Sequence, residues 1–269
     1  VVTLYNLATY KDRYGRIRLW GSVGFIASVV GFGGLFNYVG IDYFSRSLFF
    51  VAGLIALISL FHFDEPKKVN DNNARQGGFV DALKRPEVVL FFIVCFLLQV
   101  SHGAYYTYFS IYLDSLSYDS AEIGWLWSLG VIAEVVMFLV VHTWFKRHSL
   151  EFIMLLSLSF AVVRWFFTAE FAENVWVLVL LQCLHAFSFG SMHACAMKFV
   201  YQYFQVQYQG RAQALYSSFG FGAGGALGTY VSGIIVSSSG YSPAFKFSSF
   251  CAMLAIFFLL PLVRRSYRH

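Results

Sequence analysis

Five ionisable side chains stand inside apolar, helix-length runs of this sequence: His102, Glu134, Arg164, His185 and His193. A carboxylate with histidines at related depth can relay protons through hydrocarbon, because burial and neighbouring charge tune its hold on a proton. An arginine in the same setting can grip an anion with its planar fork. Glu134 sits near the middle of 121–141, AEIGWLWSLGVIAEVVMFLVV. Ten residues past Gly124, at about 1.5 Å per residue, it lies close to the midplane of a bilayer. A charge there costs at least about 2.5 to 3.5 kcal/mol, so it requires a partner, a water-filled cavity or a bound proton.

The same counting places His102 and His185 near the depth of Glu134, and Arg164 about 21 Å into its helix, in the outer half of the bilayer. His193 falls about 12 Å nearer the cytoplasm than His185 and about 80° around an ideal α-helix. Glu134 and His185 are thus candidates for proton coupling, and Arg164 for holding an anionic substrate. His102 and His193 are further candidates for substrate binding, as are Tyr105 and Tyr108 in the run Tyr105, Tyr106, Tyr108, Phe109 and Tyr112. That run could line a cavity for an aryl group. Structural alternatives stand beside each: an ion pair between Glu134 and Arg164, histidines that are only packed and hydrogen-bonded, aromatics that only fill space.

Helices must hold these groups. Apolar spans occur near 17–38, 45–62, 88–113, 121–142, 150–169, 175–197, 212–236 and 244–263, which predicts eight transmembrane helices. With 58% hydrophobic and 12% charged residues the chain lies far outside the composition of soluble domains, where charge runs near 25%. Sixteen of its nineteen lysines and arginines fall in alternate connections and at the two ends. By the positive-inside rule that side is cytoplasmic, with both termini of this chain on it. The net charge of +5 is therefore topogenic and implies no nucleic acid. Residues 63–87, FDEPKKVNDNNARQGGFVDALKRPE, read as a solvated central linker, with two helices before it and six after. The first residue is Val1, and the start reads as the interior of a longer protein. Gly220, Gly224 and Gly228 recur every fourth residue and predict a close helix crossing. Trp20, Trp125, Trp144 and Trp176 sit near helix ends, at headgroup level. Cys95, Cys183, Cys195 and Cys251 lie in apolar runs as small fillers, without metal-ligand spacing. An intramembrane enzyme would need a nucleophile or metal set, and neither HExxH nor a GxSxG serine occurs within a span.

An ordered set of motifs runs along nearly the whole chain: YGRIRLWGSVGF at 14–25, then SHGAYYTYFSIY, GWLWSLGVIAEVVMF, AVVRWFF, LHAFSFGSMHACAMKF and GRAQALYSSFG. Together they resemble permeases of the lactose-permease-like branch of the major facilitator superfamily, closest to its proton-coupled 3-phenylpropionate transporter group. The resemblance implies an all-α membrane protein with a 6 + 6 helix bundle, of which this chain would hold helices five to twelve. Residues 1–62 would be the last two helices of the N-terminal bundle and 88–269 the C-terminal bundle. Arg18 then matches the fifth-helix arginine that faces substrate, Arg164 the ninth-helix arginine, His185 the tenth-helix histidine and Lys198 a lysine thirteen residues later. Ser188 stands where the lactose permease has its coupling glutamate, and Tyr105 and Tyr108 where it has a seventh-helix aspartate pair. The pattern Glu134, Arg164, His185, His193 is similar to the phenylpropionate group.

The implied function is proton-coupled symport of a small aromatic carboxylate across a bacterial inner membrane, with sugar or nucleoside symport as the alternative. No cofactor is expected beyond the proton gradient. The expected partners are substrate, protons and the lipid bilayer, and the expected unit is a monomer. Without four helices, a polar cavity wall would face lipid, so poor stability of this chain alone is expected.

Overall fold

The computed structural model describes Trp20, Gly21, Gly24, Ser28 and residues 40–60 and 78–266. The chain divides into two compact units, 2–70 and 71–269. In the first, a short 3-10 turn, Ile41–Tyr43, leads from Gly40 into α1, Phe44–Leu60. Most of the expected span 17–38, and Arg18 with it, lies outside the described residues, as does 63–77 of the expected linker.

The second unit opens with the short helix α2, Phe79–Leu83, inside the stretch expected to be linker. Six helices follow that are long and apolar enough to cross a membrane: α3, Pro86–Ser115; α4, Ser120–Trp144; α5, Leu150–Phe171; α6, Val175–Tyr203; α7, Val206–Ser239; and α8, Tyr241–Ser266. In hydrocarbon only helices or closed barrels satisfy their own backbone, and an apolar run of this length selects the helix. These six match the last six spans of the sequence, with α7 starting six residues earlier than expected, so that Arg211 is helical.

Local chemistry sets each start. Pro86 occupies the first turn of α3, where a missing N–H is harmless. Asp119 and Glu122 form a reciprocal cap on α4: the Glu122 N–H donates to Asp119 at 2.8 Å and the Asp119 N–H to Glu122 at 2.9 Å. Ser149 caps α5, and the side chain of Asn174 accepts the first free N–H groups of α6. Gly240, at φ +91°, makes the turn from α7 into α8, a backbone conformation that suits glycine alone.

α3 is the most buried of the six and packs against both α7 and α8, while α4 and α5 flank α6. The glycine stripe explains the first contact. A Cβ at Gly224 would stand 2.8 Å from the Phe96 carbonyl oxygen, and one at Gly228 would overlap the Val100 backbone. Gly103 on α3 meets Gly228 in the same way, so two backbones touch where side chains would hold them apart.

Two helices are not uniform. α6 runs through a π-helical segment, Ala186–Ser191, and α7 through another, Tyr216–Gly224. π turns inside α-helices are frequent at functional sites. The first of these begins one residue after His185.

Candidate functional site

Arg164, in α5, is 1% exposed, and its guanidinium sits inside the bundle. Nη1 donates to Nδ1 of His185 at 2.9 Å and, more weakly, to the Ser188 hydroxyl at 3.4 Å. Nη2 donates to the Gln182 side-chain oxygen at 3.0 Å, which also accepts from the Tyr105 hydroxyl at 3.0 Å. The cation lies 4.3 Å from the centre of the Tyr105 ring and 4.4 Å from that of Trp165. Aromatic faces of this kind stabilise a desolvated cation by about 2 kcal/mol. α3, α5 and α6 thus converge on one buried positive charge.

The other edge of His185 points to Glu134. Nε2 of His185 is 3.8 Å from Oε2 of Glu134, and both residues are 6% exposed. Guanidinium only donates, so Nδ1 of His185 must accept, and the neutral ring then carries its proton on Nε2, toward the carboxylate. A proton added to Nδ1 would set donor against donor. The imidazole is therefore a neutral bridge between a buried cation and a buried acid. Small residues make room for it: a Cβ on Gly130 would lie 3.1 Å from Gln182, and one on Gly190 would lie 3.4 Å from Cγ of Glu134.

Arg164, expected in the outer half of the bilayer, reaches His185 at the end of its long apolar stem. One correction concerns His193, expected about 80° around the helix from His185. The rings of His185, Phe189 and His193 stack nearly parallel in one column, with centroids 5.2 and 6.2 Å apart. Most of the intervening steps run through the π segment, which holds about one more residue per turn and so rotates each residue less.

This arrangement, a buried carboxylate and a buried guanidinium linked by a histidine within membrane-length helices, is costly in hydrocarbon and marks a candidate functional site. Comparison of sequences gives it a family. The profile of the MFS_1 like family matches residues 1–247. The chain belongs to the MFS_1 like family. Among curated relatives of this MFS_1 like chain, it is 31% identical to the "Probable 3-phenylpropionic acid transporter" of Escherichia coli (strain K12), over 85% of this chain and 60% of that protein. It is 26% identical to the "Uncharacterized transporter YwbF" of Bacillus subtilis (strain 168), over 84% of this chain and 56% of the relative. It is likewise 26% identical to the "Putative nucleoside transporter YegT" of Escherichia coli (strain K12), over 87% and 58%. The chain thus spans about 60% of the length of the relatives it matches. It is an integral membrane protein, and the matched names are those of transporters rather than enzymes.

Of the residues singled out in this MFS_1 like sequence, Glu134, Arg164, His185 and Tyr105 come together. His102 is fully buried beside them, its ring centroid 6.4 Å from that of His185. His193 lies further along α6, its Nδ1 3.3 Å from the Tyr216 hydroxyl. Tyr108 turns away to α7: a Cβ on Gly233 would lie 2.6 Å from its hydroxyl. Lys198 stands 4.2 Å over the ring of Phe145. Gln182 and Trp165 were not anticipated. A lone amide in the run VWVLVLLQC, three residues before His185, was the available signal for Gln182. Among the described residues no group of three or more His, Cys, Asp and Glu side chains is placed to hold a metal ion.

Proposed function

We propose that the full-length protein is a secondary active transporter that brings a small aromatic carboxylate, of the 3-phenylpropionate kind, across the bacterial inner membrane together with a proton. In this reading residues 1–62 complete an N-terminal bundle, 63–87 link it to the C-terminal bundle 88–269, and both termini of this chain are cytoplasmic. The unit is a monomer.

One observation carries the proposal: Arg164 is a fully buried cation whose hydrogen-bond acceptors, His185, Ser188 and Gln182, are all neutral. A desolvated charge with neutral partners retains most of its capacity for an anion, and a carboxylate would replace those bonds with shorter, charge-assisted ones. Charge balance then supplies the coupling. Arg164 and ionised Glu134 together are neutral. Adding a substrate anion to that pair leaves an uncompensated negative charge in low dielectric, which is removed when Glu134 takes up a proton. His185 stands between the two sites and passes the change from one to the other. The aromatic walls, Tyr105, Trp127 and Trp165, suit an aryl cargo.

The 31% likeness to a relative named for 3-phenylpropionic acid supports this substrate class, and the relative named for nucleosides keeps nucleoside or sugar symport as the second reading. The test is uptake into vesicles holding the full-length protein under an imposed pH gradient. Gradient-driven accumulation of 3-phenylpropionate, with no accumulation of maltose or uridine, is expected. Accumulation of the neutral solutes alone would overturn the proposal.

A further inference from the structure

His102 carries a nitrogen for which the described residues provide nothing. Its Nδ1 lies 2.8 Å from the Leu98 carbonyl, one turn back on α3. A carbonyl only accepts, so Nδ1 bears the proton, and Nε2 is left with a bare lone pair. That atom is buried and has no hydrogen-bond partner among the described residues, in a residue with no exposure at all. A buried acceptor left unpaired costs about 1 to 3 kcal/mol, a cost that a donor arriving from elsewhere would remove.

The surroundings define that donor. The His102 ring stands edge to face with Trp165 at 4.9 Å, and Tyr106 and Phe189 lie 5.7 and 6.1 Å away. Trp165 is the same ring that Arg164 covers at 4.4 Å, so His102 and the guanidinium share one aromatic wall. Tyr106, stacked over His102, is itself 46% exposed. The charged and titratable groups that face His102 are Arg164 from α5, His185 from α6, Glu134 beyond it from α4, and Tyr105 and Tyr106 from α3 itself.

We infer that Nε2 of His102 accepts a hydrogen bond from a hydroxyl on the far end of the substrate, so that the preferred cargo is a hydroxyaryl carboxylate. The inference rests on the reading that Arg164 takes the carboxylate. Arg164 then holds one end, Trp165 and Phe189 enclose the ring, and His102 reads the O–H. A site with a buried acceptor discriminates strongly against the analogue that lacks the donor, because the acceptor then stays unpaired.

Four acids, 3-phenylpropionate, its 3-hydroxy and 4-hydroxy ring derivatives and the 4-methoxy derivative, would be titrated against the full-length protein. One hydroxylated acid is expected to bind roughly tenfold tighter than 3-phenylpropionate, the yield of one good hydrogen bond. The methoxy acid, similar in shape but without a donor, is expected to gain nothing. In His102→Asn the amide nitrogen keeps the bond to Leu98 and Nε2 is removed, so the preference falls to about one; His102→Gln, which returns an acceptor near Nε2, restores part of it. Equal affinities for the hydroxylated and plain acids in the unaltered protein overturn the inference and leave the carboxylate reading intact, pointing to a trapped water on Nε2. Binding of none of the acids overturns both. Should either variant fold poorly, the ratios measured on the unaltered protein decide.

Discussion

Arg164 donates to Nδ1 of His185 across 2.9 Å, and the opposite nitrogen of the same ring stands 3.8 Å from Glu134. A single imidazole therefore joins a buried guanidinium to a buried acid, on three separate helices. Substituting any of the three changes what the other two experience.

Replacing Arg164 with alanine removes the fork on which an anion would sit. Affinity for 3-phenylpropionate is expected to fall at least about thirtyfold, the range of one charge-assisted pair. Arg164→Lys is expected to recover little of it, because an ammonium cannot reach His185, Gln182 and a carboxylate at once. Equilibrium binding to the purified full-length protein checks both.

Gln182 neutralises nothing, yet its side-chain oxygen accepts from both Arg164 and Tyr105. Gln182→Glu keeps the shape and places an internal anion on the guanidinium. Anion binding is expected to be lost while thermal stability is kept or raised, a combination that simple damage to the fold does not produce. Gln182→Leu leaves two buried donors unpaired and is expected to lower stability by about 2 kcal/mol. Ligand binding and thermal unfolding in detergent, measured on the same samples, separate the two.

The crossing of α3 and α7 has its own test. Gly228→Ala forces a methyl group into the Val100 backbone and is expected to cost about 1 to 3 kcal/mol. Gly225→Ala, three residues away and facing nothing within 4 Å, is expected to leave stability unchanged or slightly higher. Thermal midpoints of the two variants give the comparison.

Outside the spans, the Tyr118 hydroxyl ties the turn after α3 to the end of α5 by donating to the Ala172 carbonyl at 2.9 Å. Burial, with Glu122 and Glu173 nearby, raises the phenol above its ordinary range, so the donor stays protonated at and above physiological pH. Tyr118→Phe is expected to lower stability by about 1 kcal/mol across neutral pH, read from unfolding midpoints at several pH values.

Much of this could be read in the chain before any coordinates. Hydropathy located the six long helices to within six residues at either end, since a bilayer admits few alternatives to a helix of about 20 apolar residues. Glu134, Arg164 and His185 stood out because charge in oil is rare. What escaped was geometry that ideal helices do not have. The π segment at Ala186–Ser191 brings His193 into line with His185, and no residue pattern marks it. The reach of Arg164 to His185 depends on a rotamer. Gln182 is neutral and so carries none of the signal that marks a charge in oil, and Tyr108 differs from Tyr105 in facing Gly233 across the helix contact.

The coupling of charge to charge can be measured in one titration. Calorimetry of 3-phenylpropionate binding to the full-length protein, repeated in buffers of different ionisation enthalpy, counts the protons that enter with the anion. One proton taken up per anion in the unaltered protein, and none in Glu134→Gln, is the expected result. Anion binding with no proton uptake, or uptake unchanged in Glu134→Gln, would show that the buried acid does not carry the proton.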